Sequence, residues 1–124
     1  MNEIRSYLKK NKEGYLYKFY QSCFTKNEEK NFLWFKKTLL RQYITTFGLD
    51  ILLGGLDYLA QSQLVLPNTI KTTLIHGDDD SVAPIAEALS LKDTNPHVDL
   101  ITLDNTGHMP FLRPGFKDCL AGTQ

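Results

Sequence analysis

The 124-residue chain has little that would commit it to a special environment. It contains two cysteines, Cys23 and Cys119, too few for a disulfide framework and without metal-ligand spacing, so both read as thiols. No apolar run approaches the roughly 18 residues that a membrane-crossing helix needs. The start, Met1-Asn2-Glu3-Ile4-Arg5, lacks the basic-then-apolar order of a secretory signal, so the expected compartment is cytoplasmic. There is no excess of charge either: 14 Lys and Arg face 14 Asp and Glu, which argues against a nucleic-acid binder held by a strongly basic surface. With 42% hydrophobic and 23% charged residues, the composition excludes disordered, collagen-like and coiled-coil chains and predicts one small packed unit.

The balance of charge hides a polarity along the chain. Residues 1–50 carry ten basic and five acidic side chains, and residues 51–124 carry four and nine. The character of the sequence changes near Leu66-Pro67, giving a helical segment over 1–66 and a mixed segment over 67–124. In the first, Tyr15, Leu16, Phe19, Tyr20, Cys23 and Phe24 form an apolar stripe on a short helix. Thr25 with Glu28 fits a capping box. A long helix is expected from about Asn27 to Phe47, with Phe32, Phe35, Leu39, Tyr43 and Phe47 on one face. At 100° per residue Lys30, Trp34, Lys37 and Arg41 converge on the opposite flank, a basic strip with an aromatic inside it. Such a strip is either a solvated helix face or a docking surface for an acidic partner. From Asp50 to about Ser62 a further helix is interrupted by Gly54-Gly55, whose backbone suits a bend or a close approach.

After Pro67, short apolar runs alternate with turn residues. Lys71 to Ile75 and Val98 to Leu103 read as strands, Pro84 to Leu91 as the helix between them, and Pro114 to about Leu120 as a terminal helix. Strands joined through a helix lie parallel in one sheet. Two parallel strands alone leave faces and edges bare, so an incomplete sheet belonging to a larger α/β layer structure is expected. The residues able to do chemistry lie just past those strands: His76-Gly77-Asp78-Asp79-Asp80-Ser81-Val82-Ala83-Pro84 after the first, and Asn105-Thr106-Gly107-His108-Met109-Pro110-Phe111 after the second. In open α/β sheets functional groups cluster at the carboxyl ends of strands. An Asp followed by a His there is two thirds of a hydrolytic triad, the carboxylate fixing the imidazole tautomer while His acts as general base. The run Asp78-Asp79-Asp80 lacks alternating ligand spacing, so it reads as a turn, and neither a metal nor a cofactor is called for. His76 reads as structural and His97 as exposed.

The two loops resemble the C-terminal end of the α/β-hydrolase family, whose acid loop reads H-G-x-x-D-x-x-x-P and whose histidine loop reads G-H-x-P-F. His76, Gly77, Asp80 and Pro84 meet the first pattern, and Gly107, His108, Pro110 and Phe111 the second. By that resemblance Asp80 is the triad acid, His108 the triad base, residues 1–66 a helical lid and residues 67–124 the last β-α-β-α units of the core. The segment Leu49-Asp50-Ile51-Leu52-Leu53-Gly54-Gly55-Leu56 is similar to the lid of the pimeloyl-acyl-carrier-protein methyl ester esterases of biotin synthesis. That narrower likeness implies an acidic acyl carrier protein as partner of the strip Lys30, Trp34, Lys37 and Arg41. The departure matters equally. The family's nucleophile elbow, G-x-S-x-G, is absent, Ser6, Ser22, Ser62, Ser81 and Ser90 sit in no such frame, and no glycine-rich oxyanion loop precedes them. The expectation is therefore the back portion of a serine carboxylesterase, carrying acid and base and inactive alone. The alternatives are a non-catalytic module that binds a carrier protein or assembles with a missing half or a second copy, and a different hydrolase-fold chemistry.

Overall fold

A computed structural model describes residues 2–121 and contains helices together with one two-stranded parallel sheet. The helices are α1 (Asn2–Lys10), α2 (Lys12–Ser22), α3 (Glu29–Thr38), α4 (Leu40–Thr45), α5 (Leu49–Gln61), α6 (Ile85–Thr94) and α7 (Phe116–Ala121). The strands are β1 (Thr73–Gly77) and β2 (Asp99–Leu103), and single 3-10 turns form at Lys26–Glu28 and Pro110–Leu112. Among the described residues no helix is long and apolar enough to cross a membrane. In place of one packed unit the chain forms two compact units. Among the described residues, one holds Asn2–Gln21 and Trp34–Val65; the other holds Ser22–Leu33 and Leu66–Ala121. One division between the units falls between Val65 and Leu66. Ser22–Leu33 joins the later unit because its polar groups bond the β1 and β2 loops, as described below.

The helical unit is organised by aromatic rings. Phe35 is 1% exposed and its ring meets Tyr43 edge-on at 5.2 Å, while Tyr20 lies 5.7 Å from Phe35 and 5.6 Å from Tyr43. Such tilted and edge-to-face geometries suit the ring quadrupoles and tie α2, α3 and α4 together. Leu8, Leu16, Leu40 and Ile44 complete the buried set, and an Arg5–Asp57 ion pair links α1 to α5. The single helix expected from Asn27 to Phe47 is interrupted. Leu39 adopts φ −124°, although its N–H still bonds Phe35 O and its carbonyl still accepts from Tyr43. The cause is local: the Thr38 hydroxyl donates to Trp34 O at 2.6 Å, a back-bond that bends helices.

The second unit is built on the sheet. β1 and β2 pair in parallel with Thr73 opposite Asp99 and Gly77 opposite Leu103, and α6 packs on both strands. The first strand begins two residues later than expected and runs on through His76 to Gly77. Val98 is fully buried and Ala88 and Met109 nearly so, yet Leu74, Ile75, Leu100 and Ile101 are only half-buried. Parallel sheets normally bury both faces. Here the cover is partial, and a cavity of about 220 Å³ lies between β1 and α6, lined by Leu74, Ile75, His76, Glu87, Ala88 and Leu91.

Large apolar side chains lie exposed. Ile51, Tyr58 and Leu59 on α5, and Leu64, Val65 and Ile70 after it, are all more than half exposed, and α5 buries no residue. Among the described residues a methyl group added at Gly54 or Gly55 would meet nothing within 4 Å, so neither glycine serves a close approach there, and α5 continues through both. Gly54→Ala and Gly55→Ala should each stabilise the chain by about 0.5–1 kcal/mol, because alanine restricts the unfolded chain and favours helix. An upward shift in the urea midpoint checks this; a downward shift would mean that something packs against the glycines in solution.

Candidate active site

The site forms where the two strands end, and backbone contacts set its shape. Beyond β1 the Asp78 N–H donates to Leu103 O and the Asp79 N–H to Thr106 O, both at 3.0 Å. The Asp78 carboxylate accepts the Asn105 N–H at 2.8 Å, and Asn105 takes a left-handed φ of 53°, which asparagine tolerates better than most residues. Gly77 is required here. A Cβ at that position would run into the carbonyl oxygens of Thr106 and Gly107. The acid loop and the histidine loop are thus fastened together before their side chains are considered.

Asp80 and His108 meet on that frame. Asp80 Oδ1 accepts the N–H groups of Val82 at 2.8 Å and Ala83 at 2.9 Å, a local turn that fixes the carboxylate. Its Oδ2 lies 2.8 Å from His108 Nδ1. Since the carboxylate accepts, Nδ1 carries the proton and Nε2 presents a lone pair when the imidazole is neutral. The Asp80 side chain is 4% exposed and that of His108 37% exposed, so the acid is buried and the base reachable. Burial pushes the Asp80 carboxyl upward, but the Ala83 N–H, the His108 ring and the Val82 N–H together outweigh it and hold the carboxyl below its ordinary value. His76 is part of the support. Its Nε2–H donates to Ala83 O at 2.7 Å, closing the loop around Asp80, while its distance to Asp80 Oδ2 is 3.6 Å.

Each residue singled out in the sequence has a definite place. Of the three consecutive aspartates, only Asp80 reaches His108; Asp78 ties the loops together and the Asp79 side chain is exposed. His97 is exposed and bonds Leu66 O at 3.1 Å. Lys30, Trp34 and Lys37 lie along α3 and Arg41 on α4, all exposed, with the bend at Leu39 between Lys37 and Arg41. Among the described residues no group of three or more His, Cys, Asp or Glu could hold a metal ion. Nor is a nucleophile beside the base: Ser81 Oγ donates instead to Ser22 O at 2.8 Å, and the His108 ring bonds no described residue besides Asp80. Cys23 is fully buried, its thiol pushed up to about 12 by burial and by the Asp80 charge, so it is held as the unreactive thiol.

Sequence reasoning missed two contributors. The Cys23 carbonyl accepts the His108 N–H at 2.8 Å, and Glu28, assigned only a capping role, is buried at 2% exposure with Oε1 2.9 Å from the Gly107 N. The capping contact is present too, with the Thr25 N–H 3.1 Å from the same oxygen. No sequence signal marks the longer contact, because 79 residues separate its partners.

No protein-family profile, curated protein or solved structure matches this chain. A buried carboxylate orients an accessible imidazole at the carboxyl end of a parallel sheet, which equips Nε2 to take a proton from a nucleophile or a bound water.

Because the folded state holds Asp80 more acidic than the unfolded chain, this carboxylate contributes stability above its ordinary value and loses it as pH falls through the depressed one. The stability gap between the native chain and Asp80→Asn should shrink as pH falls below the ordinary aspartate range and through the depressed value. Urea midpoints of both proteins across that range measure it; a gap that stays constant would mean that Asp80 is not stabilised as the carboxylate.

Proposed function

We propose that this chain is the lid and C-terminal core segment of an α/β-hydrolase-type serine carboxylesterase, similar to the pimeloyl-acyl-carrier-protein methyl ester esterases, supplying acid and base but no nucleophile. The observation that carries the proposal is the 2.8 Å Asp80–His108 contact at the carboxyl ends of two parallel strands. The half-covered sheet and the exposed apolar residues of α5 add to it, since both call for further protein surface. With a serine brought by polypeptide outside these 124 residues, His108 Nε2 accepts the hydroxyl proton as Oγ bonds the ester carbonyl carbon. The imidazolium then protonates the departing alkoxide, giving methanol and an acyl-serine. Water hydrolyses the acyl-serine with the same base, and Asp80 holds the imidazole in register throughout.

Alone, the chain should give no covalent adduct with a fluorophosphonate by intact mass, since the reagent needs an activated serine. A single stoichiometric adduct lost in His108→Ala would instead mark the chain as a hydrolase with a serine of its own.

The exposed residues Trp34, Lys37 and Arg41 of the helical unit favour a second reading, a module that binds an acidic acyl carrier protein without catalysis. Binding of an acyl carrier protein should weaken steeply as salt is raised, and Lys37→Glu or Arg41→Glu should weaken it by about tenfold or more at low salt. Calorimetric titration tests this, and salt-insensitive binding or none removes the carrier as a partner.

A further inference from the structure

The buried acid that proton transfer at His108 does not use is Glu28. A capping-box glutamate ordinarily sits at the surface, where it can satisfy the backbone N–H at the start of its helix while staying in water. Glu28 instead is 2% exposed. Burying a carboxylate is unfavourable unless hydrogen bonds and a counter-charge compensate, and two N–H donors and one guanidinium converge on this one. Oε1 accepts the Thr25 N–H at 3.1 Å and the Gly107 N–H at 2.9 Å, and the Arg113 Nε stands 3.7 Å from Oε2. The cap alone explains only the first. The fit to the second is close: a Cβ on Gly107 would lie 3.0 Å from Glu28 Oε1 and would collide with the Cys23 carbonyl, the group that accepts the His108 N–H.

We propose that Glu28 is a positioning residue for the Asp80–His108 dyad, its carboxylate gripping the Gly107 N–H and thereby setting where the next residue aims its imidazole. The proposal rests on the acid–base role of the dyad put forward above. His108 is held at three points in series: the preceding N–H by Glu28, its own N–H by Cys23 O, and its ring by Asp80. Releasing the first leaves a buried N–H without its acceptor and lets the loop turn. Hydrogen bonds weaken steeply with misalignment, so the 2.8 Å contact to Asp80 is the part that suffers.

The experiment is proton NMR of the whole chain at low temperature, reading the water-exchange rate of the His108 Nδ1 proton, with the amides of the β1–β2 ladder as the internal reference. In Glu28→Ala the Nδ1 proton should exchange at least about tenfold faster while the ladder amides keep their rates. Glu28→Gln, which retains an acceptor oxygen but not the charge, should fall between, at least about threefold above the native rate. An Nδ1 rate within about twofold of native in Glu28→Ala, or a rise matched by the ladder amides, overturns the proposal. Should Glu28→Ala lose its folded amide spectrum, Glu28→Gln decides, and an unchanged Nδ1 rate there overturns it equally. Asp80→Asn separates the two layers. A native Nδ1 proton that exchanges no faster in Asp80→Asn sinks the dyad and Glu28's role with it, whereas a response to Asp80→Asn but not to the Glu28 variants sinks the role of Glu28 alone.

Discussion

The close approach of the end of β1 to the Thr106-Gly107 backbone is the constraint on which the site depends. Gly77 has no side chain to hold those carbonyls away, so the two loops lie within reach of each other's N–H and C=O groups. Once they do, the Asp78 carboxylate can take the Asn105 N–H, Asp79 can bond Thr106 O, and Asp80 arrives within hydrogen-bond distance of His108. A larger residue at position 77 would force the strand ends apart and undo all of these at once. The parallel pairing of β1 with β2 prepares the approach by bringing both carboxyl ends to the same side.

Around that contact the unit concentrates its polar burial. Glu28, Asp80 and Thr106 are shielded from solvent while much of the sheet's apolar surface is only half-covered, the reverse of what packing alone would produce. Each buried acceptor is matched. Glu28 takes two backbone N–H groups with Arg113 nearby, and Asp80 takes two backbone N–H groups and the imidazole. Low local polarity strengthens these bonds and disfavours ionising the thiol of Cys23 in the same region. The result is a buried carboxylate bonded to a part-exposed imidazole, in a chain that also leaves large apolar side chains exposed.

Much of this was legible in the amino-acid order, because it depends on neighbours a few residues apart. The β-branched runs before Gly77 and Asp104 marked the strands, Pro84 marked the start of α6, and the loop patterns singled out Asp80 and His108 from the other acids and histidines. Local spacing also placed the Thr25–Glu28 cap. It misjudged the helix through Leu39, where the Thr38 hydroxyl competes for a backbone carbonyl, a contest that apolar periodicity does not register.

By itself, then, the sequence determined where the two strands and the helix between them lie, and which acid and which histidine stand at the strand ends, since those follow from turn residues and short motifs. Only the tertiary structure decided that Ser22–Leu33 belongs with the sheet, that Glu28 is buried against Gly107, and that Cys23 is shut away beside the dyad. Those outcomes turn on the room left by two glycines and on partners tens of residues apart, and no local pattern encodes a distance between segments that meet only when the chain folds.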